Sequence, residues 1–326
     1  MGLPGTITLN RWWLGCCLWG WLSIACADDS FPASDITLVV PFGTGGATNV
    51  LFRDIAEYAQ DYLDTTIVTV NMAGSGATRG SQFVKNAPPD GHTLLGSHQT
   101  IDLSYFAGLA AYSHHAFSPI ALLTRTVNIP ATYAGHDAKR ASDIATLVKE
   151  QPGELRFGMI PSSTDHFFWV HFFRQANIPL DTIELVHYPD TGSQVEALLA
   201  QEIDFSMLNL PSAGRLFAAG ALTPLGVAGE QRLTGLPTVP TLKEQGIDLV
   251  NTTNRGLFAP PGTPVTVLST LAEAFGQAVQ NPELASRIEK AHGSLVDYRP
   301  LDDYALYLDD QYTVLQSLTE EIAFSR

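Results

Sequence analysis

Four short stretches share one design that few folds accommodate: a strand-like apolar run, a cluster of small residues, then the first turn of a helical pattern. They are FGTGGATN (42–49), AGSGATRG (73–80), MIPSSTDHF (159–167) and YPDTGSQ (188–194). The runs that lead into them, ITLVVPF, TTIVTVN, ELRFGMI and ELVHYP, have the length and β-branching of buried strands. Behind the first loop, Leu51, Ile55, Tyr58 and Tyr62 recur at helical spacing, which predicts one apolar face over 48–63. Residues 92–97, 203–210, 222–229, 256–260 and 294–298 also read as strands, and 118–133 as paired strands or a crossover. SQFVKNA (81–87), 142–150 capped by Ser142, 164–175, 191–200, 265–279, 283–292 and 301–322 read as helices. The stretch around His114-His115 shows no regular pattern. Strands alternating with helices specify an α/β chain with predominantly parallel sheets covered on both faces.

Loops at the carboxyl ends of parallel strands are where open α/β sheets take up ligands. A helix N-terminus there offers unpaired N–H groups and roughly half a unit of positive charge. Several such ends can hold a carboxylate, and the plain alternative is a turn that lets strand meet helix. A nucleotide is disfavoured: Gly43, Gly45 and Gly46 leave Thr48 where G-x-G-x-x-G needs its third glycine, and no G-x-x-x-x-G-K-[ST] occurs. Catalysis is disfavoured too. There is no G-x-S-x-G elbow and no H-E-x-x-H; His166 and His171 stand five apart, and His114-His115 should face opposite ways. Ser162, Ser163, Asp165 and His166 crowd one loop, whereas a triad draws its members from different elements. The reading is therefore a non-enzyme with no catalytic residues, no metal and no cofactor.

The first 27 residues stand apart. Arg11 precedes an apolar run from Trp12 to Ala25, which ends in Ala25-Cys26-Ala27 before Asp28-Asp29. That pattern reads as a secretory signal cleaved after Ala27, with a lipoprotein anchored through Cys26 as the alternative. Cys16, Cys17 and Cys26 all lie in this leader, so the mature chain would carry no disulfide or thiolate chemistry. Loss of Arg11 leaves 17 basic against 33 acidic residues, a net −16 that repels nucleic acid.

Taken together, ITLVVPFGTGGATN, VTVNMAGSGATRGSQFVKNAPPDGHTLLGS, LRFGMIPSSTDHFFWVHFF and VHYPDTGSQVEALLAQEIDFSMLNLPSA resemble the substrate-binding proteins of tripartite tricarboxylate transporters, the Bug-type periplasmic receptors. LPTVPTLKEQGID and RGLFAPPGTPVTVLSTL extend the resemblance over essentially the whole mature chain. It implies a type II periplasmic-binding-protein fold: two α/β lobes, 28–127 with 252–326 and 128–251, a ligand cleft between them, and crossovers near Asn128 and Thr252. It implies that Phe42, Gly45, Gly46, Ala47, Thr48, Gly76, Ala77 and Ser97 grip one ligand carboxylate. On the second lobe Ser162, Ser163, Thr164, His166, Tyr188, Thr191 and Asn209 would read the rest. Arg255 is the simplest fixed cation for a second carboxylate, the alternative being a surface ion pair. The sequence departs from the family pattern at Asn49, His98, Gln99, Pro161 and Asp190. The implied role is a monomeric periplasmic receptor that delivers a small organic acid (a di- or tricarboxylate, an amino acid or an aromatic acid) to membrane transporter subunits. A sensor for a two-component system and a periplasmic enzyme are the competing roles on the same scaffold.

Overall fold

The computed structural model describes residues 1–2 and 31–319. The expected leader, its cleavage site and Cys26 lie outside the described residues, as does the expected end of the last helix at 322. In chain order the elements begin β1 (Ile36–Val40), α1 (Ala47–Leu63), β2 (Ile67–Asn71), α2 (Thr78–Lys85), β3 (Thr93–Ser97), α3 (Thr100–Phe106) and β4 (Ser118–Val127). Next come β5 (Ile129–Tyr133), α4 (Ala141–Glu150), β6 (Arg156–Met159), α5 (Thr164–Gln175), β7 (Glu184–His187), α6 (Thr191–Leu199), β8 (Phe205–Leu208), α7 (Leu210–Ala218) and β9 (Leu222–Pro224). The chain closes with β10 (Thr252–Ala259), α8 (Val265–Gln280), α9 (Pro282–Lys290), β11 (Ser294–Pro300) and α10 (Leu301–Thr319).

Two sheets result, in the orders β11-β4-β10-β3-β1-β2 and β7-β6-β8-β5-β9. The expectation of mainly parallel sheets is corrected here. β1 pairs in parallel with β2 and β3, and β6 with β7 and β8, but β4, β10 and β11 pair antiparallel, as do β5 with β8 and β9. The antiparallel strands are largely those next to the passages between sheets, where no crossover helix fixes a parallel return. The chain passes from β4 to β5 through Asn128 alone, and returns at Asn251 into β10. These two asparagines bond each other, Nδ2 of Asn128 to Oδ1 of Asn251 at 2.6 Å and backbone N–H of Asn128 to the Asn251 carbonyl at 3.2 Å. The two passages are thus tied at their crossing point.

Packing follows the two-faced requirement of each sheet. Leu38, Val40, Leu94 and Leu257 meet α1 and α8 on one face of the six-stranded sheet, while Val39, Leu95 and Phe258 meet Val84, Tyr304 and Leu308 on the other. The buried face of α1 runs through Thr48, Leu51, Phe52, Ile55, Ala56, Ala59 and Leu63; Tyr62, expected on it, is exposed. In the five-stranded sheet, α5 is apolar nearly all round. Phe168, Trp169, Phe172 and Phe173 are fully buried against Phe157 and Phe205, each contributing about 1.5–3 kcal/mol of transfer free energy. Ser142 does not cap α4. That helix starts after Arg140, and the Asp143 carboxylate accepts from the Lys139 and Arg140 N–H groups, both at 2.9 Å. The irregular-looking stretch before His114 contains the short helix α3.

At Gly256 in β10 a Cβ would lie 2.6 Å from the Ala121 carbonyl and closer still to the Tyr304 ring. Gly256→Ala is expected to lower stability by about 1–3 kcal/mol through overpacking, read as a lower Tm with unchanged far-UV dichroism.

Candidate functional site

The glycine loop after β1 is held from within. The Asn49 side chain accepts from Gly45 N–H at 3.0 Å and donates to Asn71 Oδ1 at 2.9 Å, and Asn71 donates to the Phe42 carbonyl at 2.9 Å. Gly45 takes φ +82°, which suits glycine. Gly46 is the residue before α1, and no side chain caps that end. The first-turn N–H groups of Ala47, Thr48 and Asn49 therefore have no capping side chain among the described residues, beside an exposed Gly45-Gly46-Ala47 segment. The neutral Asn49 at this turn leaves the helix dipole's positive end uncompensated.

Beneath that turn lies Arg255 of β10. It is 5% exposed, its Nε donates to Thr48 Oγ1 at 2.9 Å, and its Nη1 donates to Thr126 Oγ1. Thr126 in turn pairs with Ser294 Oγ at 2.6 Å. No carboxylate among the described residues lies within ion-pair distance of Arg255, and its Nη2 has no hydrogen-bond partner there. Nη2 is also not among the orphaned atoms sealed from solvent. Burial alone pulls the guanidinium down to about 10, so it stays charged at neutral pH. The surface ion pair considered for Arg255 is not what the fold builds. His98, stacked on Phe42 with centroids 4.5 Å apart, is held well below the ordinary imidazole range by burial and by Arg255. It adds no charge. Gln99 fastens the same loop to the crossover, donating to the Thr252 carbonyl at 2.7 Å and accepting from Asn254 N–H at 2.9 Å.

The second loop of this sheet places Gly76 at φ +61° and Ala77 at φ +71°, a left-handed conformation uncommon for alanine. Ala77 precedes α2 with no side-chain cap, and Ser104 Oγ donates to the Gly76 carbonyl. Ser97, at the end of β3, is fully buried with an Oγ that has no partner among the described residues.

In the five-stranded sheet the helix starts are engaged by their own side chains. The Asp165 carboxylate accepts from Ile160 N–H at 3.0 Å, His166 N–H at 2.9 Å and Gln194 Nε2 at 2.7 Å, and from the Ser163 hydroxyl. Ser206 Oγ donates to Gln194 Oε1 at 2.6 Å, extending the network to β8. Burial pushes Asp165 up to about 6 despite those donors. Ser162 sits at φ +60°, and its N–H donates to His166 Nδ1 at 3.2 Å. Burial holds His166 near 4, so it is a neutral imidazole. Thr164 opens α5, half-buried. Asp190 caps α6 at Ser193 N–H, 2.8 Å, beside Tyr188 and Thr191; Asn209 caps α7 at Ser212 N–H, 3.1 Å. The bonds thus join Thr48 with Arg255, Phe42 with His98, and Ser162 with His166.

A cavity of about 1120 Å³ lies elsewhere, lined by Leu210, Ser212, Arg215, Arg232, Lys290 and Ser294 among others. None of the expected site residues lines it. Arg232 there is already paired with Glu244 at 2.9 Å, so it does not present the uncompensated buried charge found at Arg255. Sequence reasoning missed the Thr126–Ser294 relay and the Asn49–Asn71 brace, whose members stand 168 and 22 residues apart.

Two sheets with helices on their faces, and strand–loop–helix ends along them, make this the fold of a periplasmic solute-binding protein. A model of the tripartite tricarboxylate transporter family receptor matches residues 51–323, and the chain belongs to that family. It is 30% identical over 273 residues to the UPF0065 protein in the tcbD-tcbE intergenic region of Pseudomonas sp. strain P51, covering 80% of this chain and 79% of that one. Among solved structures it is similar to MatC from Rhodopseudomonas palustris with bound malate, at 26% identity and TM-score 0.75, covering 89% of this chain and all of that one. A TctC solute-binding protein from Polaromonas shares the fold at 23% identity and TM-score 0.76, covering 90% of this chain and all of that one. No helix among the described residues is long and apolar enough to cross a membrane.

His166 and His171 are both held near 4 by burial, and His98 lower than usual. Each is neutral when folded but protonates near 6.5 when unfolded. Their contribution is therefore complete above about 6.5 and is lost as pH falls toward 4. Asp165, raised to about 6, acts oppositely over the same window. The expected outcome is a Tm that drops between pH 6.5 and 4, and drops less in His171→Gln.

Proposed function

We propose that this chain captures a small organic carboxylate in the periplasm and hands it to the membrane subunits of a tripartite tricarboxylate-type transporter. The observation that carries this reading is Arg255, a buried guanidinium with no carboxylate partner, lying under the uncapped first turn of α1. A buried charge costs several kcal/mol unless something compensates it. A ligand carboxylate between the Ala47–Asn49 N–H groups and Nη2 would supply that compensation, with charge-assisted bonds from both sides.

In this reading residues 28–127 and 252–326 form one lobe, 128–251 the other, and the ligand lies in a cleft between them. Phe42, Gly45, Gly46, Ala47, Thr48, Gly76, Ala77 and Ser97 hold the first carboxylate with Arg255. Ser162, Ser163, Thr164, His166, Tyr188, Thr191 and Asn209 face the remainder. The capped starts of α6 and α7, and the buried Asp165 in the first turn of α5, leave little positive potential for an anion. The second lobe therefore reads the ligand's body through hydroxyls and a neutral imidazole. Bound malate in MatC makes a C4 dicarboxylate the first ligand to try. Closure on the ligand is a population shift bounded by its differential affinity for the closed state. The protein acts as a monomer and turns nothing over.

Saturating malate, or the acid that replaces it in a panel, is expected to raise Tm by several degrees, since a ligand at 100 times its Kd adds about 2.7 kcal/mol. The corresponding amide leaves Tm unchanged. Arg255→Met abolishes the ligand-induced rise while the free protein still unfolds cooperatively. A full ligand response in Arg255→Met would overturn the assignment.

A further inference from the structure

Outside the residues assigned to the carboxylate, the short 3-10 turn His114–Ala116 packs against α10. Its two histidines, expected to face opposite ways, do not. The tight turn brings their rings to 4.0 Å, tilted by 31°, and both Nε2 atoms aim at one oxygen of Asp309 on α10. His114 Nε2 lies 3.3 Å and His115 Nε2 3.0 Å from Asp309 Oδ1. One donor atom from each of the three residues falls within a 4.8 Å span.

Each ring is oriented by a second partner. His114 Nδ1 donates to the Asp102 carboxylate at 2.9 Å, and Asp102, 1% exposed, also accepts His114 N–H at 2.8 Å. His115 Nδ1 bonds Ser113 Oγ at 2.9 Å. The Asp102 bond places a proton on His114 Nδ1, and when His115 also carries its proton on Nδ1 each Nε2 presents a lone pair beside Asp309 Oδ1. Without a metal the same Nε2 atoms donate to Asp309 Oδ1, so a bound cation would replace protons that the rings share with that carboxylate. Zinc at about 2.0–2.1 Å from three tetrahedral ligands would hold them about 3.3 Å apart, close to the two separations from Asp309 Oδ1. The buried carboxylate behind His114 matches the outer partner that metal-bound histidines use.

We propose that His114, His115 and Asp309 form a site for a divalent transition ion of the zinc class, with Asp102 and Ser113 orienting the two rings. Two imidazoles and one carboxylate suit such an ion better than calcium or magnesium, which take all-oxygen shells. The ion would clasp the 113–116 turn to α10. The far end of that helix packs Leu315 and Leu318 against Phe167 and Val170 of α5, the helix that follows the Ser162–Ser163 loop. The clasp therefore sits on the element that links the two sheets.

The test is equilibrium dialysis of untagged protein against zinc alone, with cobalt(II) visible absorption as the coordination readout. The parent is expected to hold one ion at this site, to give the intense visible bands of four-coordinate cobalt, and to melt higher with zinc. His115→Ala and Asp309→Asn, both at exposed side chains, lose the ion and the bands without losing the fold. Ser113→Ala weakens binding about tenfold. Arg255→Met keeps the ion, which separates this site from the carboxylate site. Absence of saturable binding in the parent, or binding that persists in both His115→Ala and Asp309→Asn, overturns the proposal.

Discussion

An arginine buried without a counter-charge is the constraint around which the rest is arranged. Arg255 is tolerated because two hydroxyls, Thr48 and Thr126, accept from it, and Thr126 is itself held by Ser294. The guanidinium thus ties β10 to α1 and β4, and Thr126 carries the chain of bonds on to β11. Its neighbour His98 is kept neutral, which avoids a second buried charge. What hydroxyls cannot supply is negative charge. The free protein therefore carries an electrostatic deficit at the place where an uncapped helix also offers its positive end.

The fold delivers that residue through its crossovers. β10 begins at the return passage, so Arg255 lies only four residues past Asn251, which is bonded to Asn128 in the outward passage. Gln99 bonds the same passage from the loop after β3. The charge thus lies within a few residues of both passages between the sheets. In the opposite sheet, Asp190 and Asn209 cap α6 and α7 and Asp165 stands in the first turn of α5, so these helix starts are engaged by their own side chains.

Much of this was legible in the sequence. Strand–small-residue–helix units gave the α/β class and the position of the glycine loops, because local backbone needs decide those. Sheet direction was not legible: β4, β10 and β11 pair antiparallel through contacts distant in sequence, and nothing in their apolar runs encodes direction. Tyr62 fits the helical period yet faces solvent, because a period marks a stripe without saying how wide its buried part is. Arg255 could be suspected but its burial could not, since that depends on Thr126 and Ser294 meeting across 168 residues. The His114-His115 pair was misjudged because alternation of side chains was assumed where a 3-10 turn brings both rings to one side.

The most direct test of the central claim is a crystal structure of the protein with its carboxylate ligand bound. The account predicts one carboxylate within hydrogen-bond distance of Arg255 Nη2 and of the Ala47–Asn49 N–H groups. A ligand carboxylate seated instead in the cavity beside Arg215 and Lys290, or at the start of α5 or α6, with Arg255 left unpartnered, would contradict it.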